Sequence, residues 1–413
     1  MSVIAKLRCT ICNKEYAPDE VQYTCPDCGE IGTIDVLYDY ESLKSQLDRD
    51  SLQVNREYSM WRYRDLLPLA PDSIVPSLRV GFTPLYGAPR LAESIGIKQA
   101  WVKDDGQNPT GSLKDRASTM VVARAMEQGI EIVSTASTGN AAAALAGVGA
   151  SAGIKTIIFV PSSAPQAKIA QLLIYGATVL LVEDTYDVAF DLCLSISQSE
   201  NWYCRNTGIN PFTTEGKKTV AYEIAEQLNW NVPDVVIVSV GDGSIIGGLH
   251  KGFYDLLQIG WIERIPRLIG VQAIGSSPLA KAWQEGTAAV DMQPVAAHSV
   301  ADSIVSGLPR DRAKALRAVR DTNGAYVTVT DDEILAAIPQ FARLSGVFAE
   351  PAAAATFAGA QRSIELGLLN KDESIVILST GNGLKDVGSA RKAVGSGIAV
   401  APDILSIKKA LNL

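Results

Sequence analysis

The chain has 413 residues, more than one hydrophobic core normally serves, so two domains are expected. Its composition, 47% hydrophobic and 20% charged, is that of a globular protein and excludes a disordered or collagen-like chain. A formal net charge of −8, with no Lys/Arg cluster against it, argues against a nucleic-acid partner.

The opening residues, MSVIAKLRC, contain no secretory apolar stretch, which points to a cytoplasmic protein. The cysteines that follow do not form a disulfide framework. Four fall in two C-x2-C pairs, Cys9 with Cys12 and Cys25 with Cys28. Two such knuckles can set four thiolates tetrahedrally around one Zn2+ and leave it no open position, so the ion would be structural. Four free thiols, or a ribbon without its metal, are the alternatives. Cys193 and Cys204 stand alone and read as core residues. Residues 35–75, with YDYESLKSQL and MWRYRDLLPL, read as connecting helices.

From Gln99 onward apolar runs recur between helix-length segments: QAWVKD, IEIVST, KTIIFV, TVLLVE, NWYCRN, PDVVIVSV, RLIGVQA, AYVTVT and SIVILST. Such alternation predicts βαβ units, and so parallel-rich sheets flanked by helices, with two sheets likelier than one from the number of runs. AAAALAGVGASAG is too short and too small-sided for a membrane span. In an α/β fold the ligand sits at the carboxyl ends of the strands, so the loops that follow the runs carry the information.

The first of these loops is DDGQNPTGSLKDRAS. Lys114 lies there at the apparent start of a helix, where the dipole, with Arg116 nearby, lowers an amine's pKa and favours a nucleophile. A surface lysine paired with Asp115 is the alternative. STGN follows the second run (Ser137, Thr138, Gly139, Asn140) and recurs after the last, at residues 379–382 with Thr380. Between them VVIVSVGDGSIIGG ends a strand in a glycine-rich turn: Gly241, Asp242, Gly243, Ser244 and Ile245. A dinucleotide loop needs a third glycine where Ile246 stands, and no Gly-Lys-Ser/Thr follows as in a P-loop. What remains is a cradle for one phosphomonoester at a helix N-terminus. His250 and His298 are the only histidines, too few for a histidine metal site and poor support for a Ser-His-Asp triad. An amine, a phosphate cradle and two hydroxyl-bearing turns together fit pyridoxal 5'-phosphate.

With those residues in view, the sequence resembles the threonine synthase family of fold-type II (tryptophan synthase β-like) pyridoxal-phosphate enzymes. The likeness runs through the cysteine knuckles, YRDLLP, TPL, VKDDGQNPTGSLKDRAS, STGN, NPFTTEGKKTVAYEI, FAEPAAAA and TGNGLKD. It implies an α/β fold with a zinc-ribbon-like segment over 1–38, a large cofactor-binding domain over 39–117 and 207–413, and a small mobile substrate domain over 118–206. By the same resemblance Lys114 carries the cofactor as a Schiff base, Asn140 bonds its phenolic oxygen, Gly241 to Ile245 wrap its phosphate, and Thr380 meets its pyridine nitrogen. Ser137, Thr138 and Gly139 receive the substrate carboxylate, and Asn206 and Thr207 complete the substrate site. The implied reaction is O-phospho-L-homoserine and water to L-threonine and phosphate, in a homodimer acting on a small amino acid.

The chain departs from the family in the CRNTGINPFTTEGKKT segment. An arginine that grips the substrate phosphate, expected two residues past Asn210-Pro211, is replaced by Thr213, and one residue is inserted before Asn210. A hydroxyl does not replace a bidentate guanidinium. Arg205, Lys217 and Lys218 are the cations nearby. A β-replacement enzyme resembling cysteate synthase and taking phosphoserine is the second reading, and a catalytically silent zinc-ribbon binding protein the third.

Overall fold

The structure is a computed structural model that describes residues 4–164 and 166–413. Its thirteen strands are β1 (Ile4–Cys9), β2 (Glu15–Tyr16), β3 (Ile34–Tyr38), β4 (Leu85–Gly87), β5 (Gln99–Asp104), β6 (Ile132–Ala136), β7 (Lys155–Pro161), β8 (Thr178–Val182), β9 (Tyr203–Cys204), β10 (Val235–Ser239), β11 (Arg267–Ala273), β12 (Ala325–Val329) and β13 (Ser374–Ser379). They form three sheets, ordered β2-β1-β3, β12-β11-β10-β13-β5-β4 and β8-β7-β6-β9. All nine apolar runs are strands. The large sheet is parallel except for its edge strand β4, and the four-stranded sheet is parallel throughout.

Register explains the unbroken apolar runs. Val102, Ile377, Ile237 and Ile269 lie opposite one another across β5, β13, β10 and β11, and all four are fully buried. Helices cover both faces, so neither side of these strands needs a polar residue. The four-stranded sheet is an excursion: the chain leaves the large sheet after β5 and returns for β10.

Two helices join the sheets, Lys114–Glu127 and Phe212–Lys217. They approach closely because residue 216 is glycine; a Cβ there would stand 2.2 Å from the Arg116 carbonyl oxygen.

The N-terminal segment differs in one respect from expectation. Residues 35–38 belong to β3, paired antiparallel with β1, because Val36 and Tyr38 are apolar and bury against the small sheet's core. Beyond them Tyr40–Gln46 is helical, whereas Met60–Leu66 is a 3-10 segment kinked at Tyr63. Among the described residues no helix is long and apolar enough to cross a membrane.

Candidate active site

A cavity of about 740 Å3 opens where the carboxyl ends of the two parallel sheets face each other. Lys114, Ser137, Thr138, Gly139 and Asn140 line it, with Arg205, Thr207, Lys217 and the whole Gly241–Ile245 turn. This is the strand-end crevice in which α/β folds bind ligands.

Lys114 is the first residue of its helix, and its ammonium makes no hydrogen bond or ion pair among the described residues. Burial pushes its pKa down; the Glu350 carboxylate opposes that, while Arg205 and Lys385 add to it. The two expected neighbours do not act as the sequence implied. Asp115 turns away to accept from Thr110 N at 2.7 Å, and Arg116 is consumed by Asp105 and Glu223. What depresses the lysine is enclosure, together with cations from distant segments.

The loop that carries Lys114 is stapled to the second STGN. Leu113 N donates to Thr380 O (2.9 Å), Asn382 N to Gly111 O (2.9 Å), and Lys385 Nζ to Thr110 O (2.8 Å). Thr380 therefore lies beneath the lysine loop. Its side chain is buried and is not on the cavity wall; its hydroxyl, like those of Ser379 and the cavity-lining Ser239, has no hydrogen-bond partner among the described residues. Three orphaned buried hydroxyls at the strand ends are unusual, since such groups are normally satisfied.

The first STGN opens the helix Asn140–Ala152. The Asn140 amide donates to both carboxylate oxygens of Glu350 at 3.0 Å. Glu350 precedes the helix Pro351–Glu365 but makes no capping bond there; it accepts from Asn140 and Ser303 of the cavity wall instead, and FAEPAAAA was its signal in the sequence.

The glycine turn is shaped by steric limits. Gly243 sits at φ +91°, and a Cβ there would meet Ala315 Cβ at 2.6 Å; at Gly241 it would meet Ile304 Cα at 2.9 Å. The turn leads into the helix Ser244–Gln258, whose N-terminus suits an anion. The Asp242 side chain, on the same wall, is engaged by another wall residue. It accepts from Ser306 Oγ (3.2 Å), and burial holds its carboxyl above the usual range.

In the CRNTGINPFTTEGKKT segment the structure separates the residues. Thr207 is on the cavity wall and accepts from Arg205 Nη1 at 2.7 Å. Asn206 is not; its Oδ1 accepts from Thr135 Oγ1 and Ala136 N, tying β9 to β6. Thr213 is buried outside the cavity and spends its hydroxyl on the Asn210 carbonyl (2.8 Å). Lys218 points away, to Asp255, Glu215 and Tyr38. Lys217 faces the cavity and donates to Ser244 Oγ at 2.6 Å.

Sequence reasoning missed Arg310 on the rim, held by Glu30 of the N-terminal segment at 2.5 Å. No spacing could have announced a contact between those two positions. In the same N-terminal segment, the thiols of Cys9, Cys12, Cys25 and Cys28 lie within 4.8 Å of one another. Such a cluster can hold a tetrahedral ion. Cys193 and Cys204 are buried core residues, as expected.

The family model described as "Pyridoxal-phosphate dependent enzyme" matches residues 76–381. The threonine synthase of Methanocaldococcus jannaschii is 41% identical, over 98% of this chain and 99% of that protein. The threonine synthase of Methanosarcina acetivorans is 40% identical over 98% of each. Among solved structures, the processed form of threonine deaminase isoform 2 from Solanum lycopersicum superposes with a TM-score of 0.65. It is 24% identical and covers 76% of this chain and 84% of that one, a likeness that speaks to the fold alone.

Proposed function

This chain belongs to the pyridoxal-phosphate dependent enzymes and, within them, to the threonine synthases, and from that premise we propose that it converts O-phospho-L-homoserine and water into L-threonine and phosphate. The observation that carries the reading is the Lys114 amine, without a carboxylate partner, on the same cavity as the glycine turn and the first STGN.

The residues fit the cofactor. Lys114 offers the amine that would anchor it covalently. The Gly241–Ile245 turn offers a cradle that only glycine permits, at a helix N-terminus, for its phosphate. Asn140 offers an amide for its oxygen edge. Thr380, off the cavity wall beneath the lysine loop but with an unpartnered buried hydroxyl, is the group this reading assigns to its ring nitrogen. When bound, pyridoxal phosphate supplies an electron sink that makes the bonds at Cα and Cβ of an amino acid labile.

The chain's own groups then divide the work. Ser137, Thr138 and Gly139 receive the substrate carboxylate at the mouth of the helix Asn140–Ala152. Lys114, its pKa lowered by burial, takes and returns protons at the substrate's Cα. A hydroxyl at Thr380 stabilises a protonated ring nitrogen less than a carboxylate does, which favours elimination and water addition over transamination. The reading also takes residues 118–206 as a small unit that moves against 39–117 and 207–413, and the four N-terminal thiolates as ligands of a structural Zn2+.

Purified protein is expected to show the visible absorbance of bound cofactor, and to release phosphate from O-phosphohomoserine in preference to O-phosphoserine. Lys114→Ala is expected to abolish both. A variant with an unaltered spectrum would remove Lys114 from its role, and a preference for O-phosphoserine would install the β-replacement reading.

A further inference from the structure

Arg205 follows β9 and is wholly buried, with 0% of its surface exposed, on the wall of the cavity. A buried guanidinium is ordinarily paired with carboxylate, because desolvating an unpaired charge is costly. Arg116 in this chain obeys that rule, with Asp105 and Glu223 on either side. Arg205 does not. Its Nε donates to Ser118 Oγ (3.2 Å), its Nη1 to Thr207 Oγ1 (2.7 Å), and its Nη2 to nothing.

The surroundings sharpen the anomaly. Lys217, also buried, has only the Ser244 hydroxyl as a hydrogen-bond partner, and Lys114 has none. Three cations thus reach one cavity without an ion pair among the described residues, beside Arg310 on its rim and the carboxyls of Asp187, Asp242 and Asp302 on its wall. Burial lowers the Arg205 pKa to about 10, which leaves it charged at neutral pH. A cavity of that kind is complementary to a dianion.

Resting on the threonine synthase reading, we propose that Arg205, with Thr207 beside it, grips the phosphate of the substrate in place of the arginine that Thr213 replaces. Thr213 is excluded by position, since it lies off the cavity with its hydroxyl bonded to its own turn. Lys218 is excluded by its bonds to Asp255 and Glu215. Lys217 touches Ser244 of the glycine turn and so belongs with the cofactor's phosphate. Of these, Arg205 alone follows a strand of the four-stranded sheet, beside the strand that ends in the first STGN, with an unused N–H and a planar fork suited to two phosphate oxygens.

The test uses the cofactor-loaded enzyme and its Arg205→Met, Arg205→Lys and Thr213→Ala variants. Arg205→Met is expected to raise KM for O-phosphohomoserine by about 30- to 100-fold, the loss expected of charge-assisted bonds, with a smaller change in kcat. Equilibrium binding of the uncleavable isostere 2-amino-5-phosphonopentanoate should weaken by the same factor. Binding of L-homoserine, which lacks phosphate, should stay unchanged, as should the visible absorbance. Arg205→Lys should fall between, and Thr213→Ala should match the parent. Tm of Arg205→Met should equal or exceed that of the parent, because an unpaired buried charge has gone. A variant that keeps its KM and its phosphonate affinity overturns the proposal, as does one that loses homoserine and phosphonate binding alike. A parent enzyme inactive on O-phosphohomoserine would sink the reaction assigned above, while the phosphonate titration would still decide Arg205.

Discussion

Lys114, Asp115 and Arg116 are neighbours in sequence, and the fold sends each to a different environment. The lysine faces the cavity. Asp115 binds Thr110, and burial raises its carboxyl to about 6 even though Thr110 opposes the shift. Arg116 enters a buried cluster with Asp105, Glu223 and Lys103, in which every side chain is fully enclosed. Glu223 is the hub of that cluster, bridging two cations and the Phe82 and Thr83 amides. Glu223→Gln is therefore expected to lower stability by about 3–5 kcal/mol, since it leaves buried positive charge uncompensated, as measured by denaturant unfolding. The residue types in GSLKDR were legible as a reactive lysine at a helix start. What lowers its pKa was not, because Arg205, Glu350 and Lys385 reach it only through the tertiary fold.

At the scale of elements, the strands were readable because burial on both faces leaves a continuous apolar signal, as in Val235–Ser239. The segment Met60–Leu66 was readable only as a helix, not as a 3-10 one with a kink at Tyr63, since residue pattern does not separate the two. Strand β3 was mistaken for part of a connector because Asp35 interrupts its apolar pattern. That aspartate is buried, and its partner lies far along the chain: Arg317 Nη1 donates to it at 2.6 Å, with Lys314 nearby. Burial alone would raise its pKa, but the two cations outweigh that and hold it at about 2. A folded-state pKa below the unfolded value of about 3.9 means stability present above pH 4 and lost as pH falls towards 2. By that linkage the ionised Asp35, burial and both cations taken together, contributes about 2–3 kcal/mol at neutral pH. Asp35→Asn should remove this increment and flatten the acid limb of a stability-versus-pH curve.

Across the whole molecule, the N-terminal sheet is fastened to the body by charge. Asp35 meets Arg317, Glu30 meets Arg310 on the cavity rim, and Tyr38 joins the buried set of Glu215, Lys218 and Asp255. Glu30 stands two residues past Cys28, so the knuckle that gathers the thiols also positions the rim. On the proposal that these thiolates hold a structural Zn2+, chelator treatment is expected to expose the segment to protease and to raise the substrate KM severalfold, while the visible absorbance persists. Bleaching of the cofactor in step with metal loss would contradict that ordering. The two-sheet architecture could be anticipated from the number of runs, but this long-range fastening could not, because each contact joins segments that share no local pattern.

The stapling of residues 110–114 to residues 380–385 sets an order of events during synthesis. The lysine is made early, yet the backbone that orients it pairs with the last strand of the large sheet to leave the ribosome. A nascent chain can assemble its four-stranded sheet while the amine is still unaimed, but the large sheet stays split, because its last strand is the one that joins β10 to β5. Vitamin capture is thus deferred until the polypeptide is nearly complete, and a prematurely terminated product would be colourless however well its remaining parts had folded.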